Sequence, residues 1–408
     1  MNSAFSAIAN RTTEPPISWL MKLTLERPEL ISLAAGFTDN ESLPVAATRE
    51  VADKLLASVR TGRPALQYGA TAGDPELRRL TAKRLSELDQ RSCAPEQVLI
   101  THGSQQLLYL VSECLCDPGD IVLVEDPTYF VFLGIAQSLG FHCRGVGMQK
   151  DGLDIEHLGQ RLAALKKSGE LKRVKFLYLV TYFQNPSGIT TSFEKKTAAL
   201  ELLKKYERAA GHAIYLLEDA AYRELRFEGD DVPSAADSDR VIYAGTYSKP
   251  FATGIRVGFG VIPEPLRTVV LQLKGSHDFG TANFQQQIVS AALASCRFEK
   301  HVRSLRKHYA KKAAVMVDAI KKHFPDSVEW EKPQGGLYVW SGDPRVKTGA
   351  KSKFFSAALN RNVIYVPGEL CYCDDPSRPK PNHEMRLSFG GATESDIREG
   401  IKRLGSLF

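Results

Sequence analysis

The stretch Tyr243-Ala244-Gly245-Thr246-Tyr247-Ser248-Lys249, followed seven residues later by Arg256, decides how this chain is read. It begins as an apolar, strand-like run and leaves as a polar exit, with hydroxyls at Thr246 and Ser248, an amine at Lys249 and a guanidinium at Arg256. An amine suited to Schiff-base chemistry, beside hydroxyls and a guanidinium able to grip a phosphate, is one reading of that set. A solvated strand end is the other. The rest of the sequence has to choose between them.

Working outward, two more polar insertions close apolar runs. Asn185-Pro186-Ser187-Gly188 follows residues 176–180, and Asp219-Ala220-Ala221-Tyr222 follows residues 214–217. In open α/β sheets ligands bind beyond the carboxyl ends of the strands, so positions distant in sequence converge on one crevice. A carboxylate there suits a pyridine ring, because it keeps the ring nitrogen protonated and the ring electron-withdrawing. Asn185 and Tyr222 can then hydrogen-bond a phenolic oxygen. Together with Lys249 this set points to pyridoxal phosphate. Each motif also has a plain structural reading, as a turn for Asn-Pro-Ser-Gly and a helix N-cap for the Asp. Gly103-Ser104-Gln105-Gln106 lies between the strand-like residues 98–100 and an apolar helical run, which puts backbone amides at a helix N-terminus, a natural phosphate cradle. Tyr129, at the end of Asp126-Pro127-Thr128-Tyr129, reads as a core tyrosine when taken alone, and Arg386 as a surface residue on a strand.

Short β-branched runs at 98–100, 121–124, 174–180, 214–217, 241–244 and 257–262 alternate with longer amphipathic stretches. This pattern argues for an α/β fold with a mostly parallel central sheet. Past about residue 290 it changes to a long helix followed by strands at 337–340, 363–366 and 385–389, which suits a smaller α+β domain. The expected division is a large cofactor-binding domain at 41–290 and a small C-terminal domain at 291–408. The glycines at 254, 258 and 260 do not make a dinucleotide fingerprint, since their spacing is wrong, Arg256 interrupts them and no acidic partner follows at the right distance.

Composition sets the class. At 408 residues, 43% hydrophobic and 25% charged, the chain can bury a large core. No apolar run reaches bilayer-spanning length and the start of the sequence lacks a signal-peptide pattern, so no membrane partner and a cytoplasmic location are expected. Seven scattered cysteines argue against a disulfide framework. The pairs Cys114/Cys116 and Cys371/Cys373 are tighter than a zinc knuckle and have no His cluster beside them, so no metal is expected. The net charge is +6. The basic stretch 297–312 interleaves its charges with Phe298, Val302, Leu305 and Tyr309 at helical spacing and reads as a solvated helix face, not a nucleic-acid surface.

The ordered motifs resemble the fold-type-I pyridoxal phosphate enzymes of the class I/II aminotransferase family, nearest to its kynurenine/α-aminoadipate branch. They comprise Ser32-Leu33-Ala34-Ala35-Gly36, Leu66-Gln67-Tyr68-Gly69, Thr101 to Gln106, Glu125 to Tyr129, the Asn185, Asp219 and Lys249 motifs, and Met385-Arg386-Leu387-Ser388-Phe389. The resemblance implies a catalytic set of Lys249, Asp219 and Tyr222. It implies cofactor contacts from Ser104, Gln105, Tyr129 stacked on the pyridine, Asn185, Thr246, Ser248 and Arg256, with Tyr68 reaching the phosphate of a neighbouring subunit in a homodimer. Arg386, Asn185 and Gly36 would bind substrate, Arg386 as the clamp on an α-carboxylate. It also places residues 1–40 with the small domain.

The expected reaction moves an amino group from an aromatic or aliphatic amino acid to a 2-oxo acid, with 2-oxoglutarate the family's habitual acceptor. Elimination, cyclisation or oxidation at Cα would use the same residues, and a ligand-sensing module like the aminotransferase-like half of certain transcription regulators is a third reading. Two departures stand out. Ser18-Trp19-Leu20-Met21 replaces an Arg-containing helix common in relatives, which weakens the case for a second substrate carboxylate. Lys249 to Gly254 replaces the usual Ala-Pro-Gly approach to the phosphate-binding Arg. Trp19, Phe37, Tyr365 and Cys371 are the candidates for the substrate side-chain pocket.

Overall fold

The computed structural model describes residues 4–236 and 238–408, so residues 1–3 of the N-terminal segment lie outside it. Its largest sheet has eight strands in the spatial order Val98–Thr101, Gly258–Val261, Val241–Thr246, Tyr215–Asp219, Val174–Val180, Ile121–Asp126, His142–Gln149 and Gly152–Leu153. The five from Val241–Thr246 to His142–Gln149 run parallel. Gly258–Val261 is antiparallel to both its neighbours, and Gly152–Leu153 to His142–Gln149. Parallel strands covered on both faces should be apolar throughout. Six of the seven residues of Val174–Val180, VKFLYLV, are buried.

The strand His142–Gln149 is absent from the sequence expectation because Gly145 and Gly147 break its β pattern. Packing explains them: a Cβ at Gly145 would lie 2.4 Å from Asp126 Oδ2, and one at Gly147 3.1 Å from His157 Nδ1. The glycines at 258 and 260 have a similar origin. A Cβ at Gly258 would sit 2.4 Å from the Ser104 backbone nitrogen, and one at Gly260 2.7 Å from Leu107. They let the helix Gly103–Leu115 rest directly on the sheet backbone. The helix N-terminus is thereby fixed at the mouth of the crevice.

A second, antiparallel sheet has the order Glu329–Trp330, Tyr338–Gly342, Glu384–Ser388, Val366–Pro367. Residues 363–366, expected as one strand, serve two sheets, since Val363–Ile364 pairs in parallel with Ile31–Ser32. The N-terminal segment also reaches the larger sheet's layer, where Arg11 donates to the Ser138 and Leu139 carbonyls at the end of helix Phe130–Leu139. The helix Arg297–His323 buries Phe298, Val302, Leu305 and Tyr309 along one stripe and leaves Arg303, Lys307 and Lys311 in solvent, a solvated basic face. Its buried Lys312 holds Asp39 at 2.5 Å, which pins the loop carrying Gly36 and Phe37.

Candidate active site

At the carboxyl ends of the parallel strands, Asp219 closes Tyr215–Asp219 and Thr246 closes the adjacent strand. The chain then turns: Ser248 N–H donates to Thr246 Oγ1 (3.0 Å) and Phe251 N–H to the Tyr247 carbonyl (3.0 Å). This turn delivers Lys249, whose Nζ donates to the Gly36 carbonyl at 2.8 Å and lies 5.7 Å from the Tyr222 ring centre. Burial, with the nearby charges of Arg386 and Arg256, pulls the Lys249 amine down to about 8. At neutral pH an appreciable fraction of it is therefore the free base, the form that attacks carbonyls or accepts a proton.

Asp219 is buried. One carboxylate oxygen accepts from the Tyr178 hydroxyl (2.9 Å) and the other from Ala221 N–H (3.1 Å), while burial raises its carboxyl to about 6. The fully buried Glu125 lies close by. It accepts from Val180 N–H (2.8 Å) and from Gln184 Nε2 (2.6 Å), and Gln184 also donates to the Pro127 carbonyl (3.1 Å). One carboxyl thus ties the loop carrying Tyr129 to the loop carrying Asn185. Nothing in the sequence pattern marked Glu125 for that part beyond its place at the end of an apolar run.

The anion end is built from tight backbone. Gly103 has φ +69°, and a Cβ there would lie 2.5 Å from Arg256 Nη2. Arg256 itself adopts φ +52°, a left-handed conformation that costs a residue with a Cβ about 1 kcal/mol or more and is tolerated where the surroundings over-determine it. Its Nη1 donates to Ser248 Oγ (3.2 Å) and to the Thr253 carbonyl (3.3 Å). Ser104, Gln105, Thr246 and Ser248 line the same end of the cavity.

Opposite stands Arg386, on the strand Glu384–Ser388 and only 1% exposed. Nη1 donates to Asn185 Oδ1 (2.7 Å) and Nη2 to the Ala34 carbonyl (2.5 Å), and the guanidinium lies 4.3 Å from the Tyr338 ring centre and 5.5 Å from that of Phe130. Its Nε is buried with no hydrogen-bond partner among the described residues, and the residue itself lines the cavity. A guanidinium at a cavity wall is a place for an acidic group.

A single cavity of about 270 Å³ therefore gathers Gly36, Ser104, Gln105, Tyr129, Asn185, Asp219, Tyr222, Thr246, Ser248, Lys249, Arg256 and Arg386. Tyr68 does not join them: it is 82% exposed and packs edge-on against Phe279, with ring centres 5.4 Å apart. Of the four side-chain candidates only Phe37 lines the cavity. Trp19 packs on Phe355, Tyr365 is buried with its hydroxyl on the Thr348 carbonyl, and Cys371 is buried under the Tyr129 loop with its carbonyl on Thr128 N–H. Ile17, Phe130, Val131 and Tyr338 take their place in the wall. The sequence gives little sign of these, since each is an ordinary apolar or aromatic position whose exposure to the cavity depends on packing.

The pattern of the family "Aminotransferase class I and II" matches residues 28–404. The chain belongs to this family. It is 34% identical over 390 residues to aromatic-amino-acid aminotransferase 1 of Thermococcus litoralis, covering 94% of this chain and 89% of the relative. It is 32% identical to 2-aminoadipate transaminase of Thermus thermophilus, covering 99% and 96%. Kynurenine aminotransferase of Pyrococcus horikoshii, solved with PMP and KYN as substrates and KYA as products, superposes with a TM-score of 0.89 at 32% identity, covering 99% of this chain and 96% of that one. The protein is an aminotransferase acting on amino acids, its fold is that of the fold-type-I enzymes, and its cofactor is pyridoxal 5'-phosphate.

The residues present fit that cofactor. The missing side chain at Gly103 lets the Arg256 guanidinium lie against the helix N-terminus, an anion site with Ser104 and Gln105 beside it, the buried carboxylate of Asp219 suits a ring cation, and the Lys249 amine is pulled down to about 8. No helix among the described residues is long and apolar enough to cross a membrane.

Proposed function

We propose that this aminotransferase takes aromatic or aliphatic amino acids as donors, and that the residues gathered in the cavity divide the work. The observation that carries this reading is the cavity's charge: among the described residues of one subunit its lining cations are Lys249, Arg256 and Arg386, and each is engaged by the shared parts of the reaction. Ile17, Phe37, Phe130 and Val131 make an apolar part of its wall. A separate, smaller apolar recess of about 80 Å³, lined in part by Leu20, Met21 and Leu25, shares Ile17 and Phe37 with it. Such a wall rewards an apolar side chain and leaves a distal charge unpaired. For the acceptor we propose 2-oxoglutarate, supported by the family alone, with its far carboxylate at the open mouth.

When bound, pyridoxal phosphate supplies an aldehyde for the amino group and a ring that withdraws electrons from Cα. The chain's residues do the rest. Ser104, Gln105, Thr246, Ser248 and Arg256 would hold the phosphate, and Tyr129 would pack against the ring. Asp219 would serve the ring nitrogen, and Asn185 and Tyr222 the phenolic oxygen. Arg386, braced by Asn185, takes the α-carboxylate and so orients the Cα–H bond toward Lys249. Lys249 Nζ then removes the Cα proton and returns it one position along, general base and general acid in turn. Asp219 and Tyr222 complete the catalytic set.

The same proposal includes a homodimer in which Tyr68 reaches the phosphate site of the other subunit. Its support is the exposed apolar group of Val59 (65%), Leu66 (68%), Tyr68 (82%) and Phe279 (61%), more than a free surface normally shows. The division at residues 40 and 290 and a cytoplasmic location belong to the proposal too, the latter supported by free thiols at all seven cysteines.

The test mixes holoenzyme with single amino acids and no oxo acid, following pyridoxamine phosphate formation by absorbance. Phenylalanine, tyrosine, kynurenine and leucine should convert the cofactor stoichiometrically and at least about tenfold faster than glutamate or aspartate at equal concentration, the scale of a substrate pocket's preference for apolar groups. Faster conversion by aspartate would refute the donor assignment. The loaded pyridoxamine form offered a series of 2-oxo acids identifies the acceptor.

Asp219 gives a separate expectation. Its carboxyl titrates near 6 when folded and near 3.8 when unfolded, so between those values the folded state keeps a proton that the unfolded state has lost. Its contribution to apoprotein stability is best below about pH 4 and falls as pH rises through 6. Asp219→Asn should therefore stabilise the apoprotein above pH 6 by up to about 3 kcal/mol, leave it unchanged at pH 4, and still weaken the holoenzyme's turnover. Thermal melts of apoprotein across that range, beside steady-state rates, check both halves.

A further inference from the structure

Tyr338 is buried (2% exposed) at the first position of the strand Tyr338–Gly342 and borders the cavity, yet none of the roles above uses it. Its hydroxyl lies 2.9 Å from that of Tyr222, with the two rings edge to face at 5.6 Å. On one side the ring carries the Arg386 guanidinium at 4.3 Å. On another the hydroxyl is pressed against residue 36, where a Cβ would come within 2.6 Å of the oxygen but no nearer than 3.6 Å to a ring carbon. Tyr338 thus touches three working parts of the site at once.

Either hydroxyl of the pair can donate to the other, and each is the other's only hydrogen-bond partner among the described residues. Each tyrosine brings one O–H, and a buried O–H needs an acceptor. Gly36 crowds the far side of the Tyr338 oxygen. With an acceptor bound beside Tyr222, both protons are satisfied when Tyr338 donates to Tyr222 Oη and Tyr222 donates into the cavity. A hydroxyl that accepts one hydrogen bond becomes a stronger donor of its own.

We infer that Tyr338 is a positioning residue for the transamination: its hydroxyl sets the Tyr222 hydroxyl as a donor toward the cofactor's phenolic oxygen, while its ring holds Arg386 at the α-carboxylate site. The inference rests on the placement of Tyr222 proposed above. It also accounts for the glycine at 36, which the Tyr338 oxygen requires and a phenylalanine in its place would not.

The experiment is a double-mutant cycle on holoenzyme with Tyr222→Phe, Tyr338→Phe and both, read by the pH titration of the bound cofactor's visible absorbance and by steady-state kinetics. Tyr338→Phe should raise the titration midpoint by about 0.5–1 pH unit and lower kcat about three- to tenfold with KM within about twofold, the size of one hydrogen bond lost from a chain. The double variant should match Tyr222→Phe alone, because the Tyr338 hydroxyl acts through Tyr222. Additive effects, or an unmoved midpoint in Tyr338→Phe while Tyr222→Phe shifts it, would overturn the inference alone. An unmoved midpoint in Tyr222→Phe would overturn the placement of Tyr222 and the inference with it. Gly36→Ala supplies a check independent of the chromophore. It should lower the holoenzyme's melting temperature in the wild-type background and much less in Tyr338→Phe, and equal losses in both would refute the packing argument.

Discussion

Lys249→Ala should fold, retain part of its pyridoxal phosphate through the phosphate contacts, and lose turnover by a factor of about 10⁴ or more, the upper range for removing a positioned proton carrier. The size follows from the amine's isolation. The cavity's other cations, Arg256 and Arg386, are guanidinium groups that cannot be deprotonated, so neither can replace it. A small primary amine supplied from solution should recover part of the rate, because the lost side chain vacates space beside the Gly36 carbonyl that held it. The same residue sets a pH dependence in the wild type. Only the unprotonated amine can capture the cofactor's aldehyde, and the amine titrates near 8 in the free chain. The rate at which apoprotein takes up the cofactor should thus rise about tenfold per pH unit below 8 and level off above it. Stopped-flow absorbance measures it. Full turnover in Lys249→Ala, or a pH-independent capture rate, would contradict the role given to Lys249.

Arg386→Lys, conservative in charge, should lower kcat/KM for amino acids by about 10²- to 10³-fold. A lysine cannot serve Asn185, the Ala34 carbonyl and an incoming carboxylate in one plane, and it gives up the guanidinium's approach to the Tyr338 and Phe130 rings. The decisive control is an amine of the same side chain without its carboxylate, phenethylamine beside phenylalanine. Wild type and variant should process the amine at equally slow rates, since neither has a carboxylate to grip. A variant that lost as much on the amine would show general damage to the site and not a lost clamp.

The motif-bearing parts of this site were readable because their chemistry is local. Lys249, Asp219 and Asn185 stand at the ends of apolar strands, and a polar residue ending such a run is conspicuous in one dimension. Four of the five parallel strands were readable for the same reason, each being a nearly continuous apolar run. What escaped is what tertiary contact decides. His142–Gln149 is a strand despite two glycines that its neighbours demand, and Gly258–Val261 runs against its neighbours, a sense that no periodicity reports. Tyr365 and Cys371 turned inward to a buried packing role. Tyr338 reached the cavity from a second sheet whose register places Arg386 opposite Trp340, and no spacing in the sequence announces that meeting.

The glycines at 258 and 260 have a bearing on how this enzyme can change. Gly258 meets the helix backbone and Gly260 the Leu107 side chain so closely that any added Cβ clashes, so almost any substitution at the phosphate-binding end is punished. The helix Pro16–Glu26, which carries Ile17 to the cavity wall, buries only Leu20. Its exposed positions, Ser18, Met21, Lys22, Leu25 and Glu26, are cheap to mutate. Heredity can therefore rewrite the guest list at one wall while the reaction stays fixed at the other, and a lineage built on this plan can diversify its diet of amino acids without relearning its chemistry.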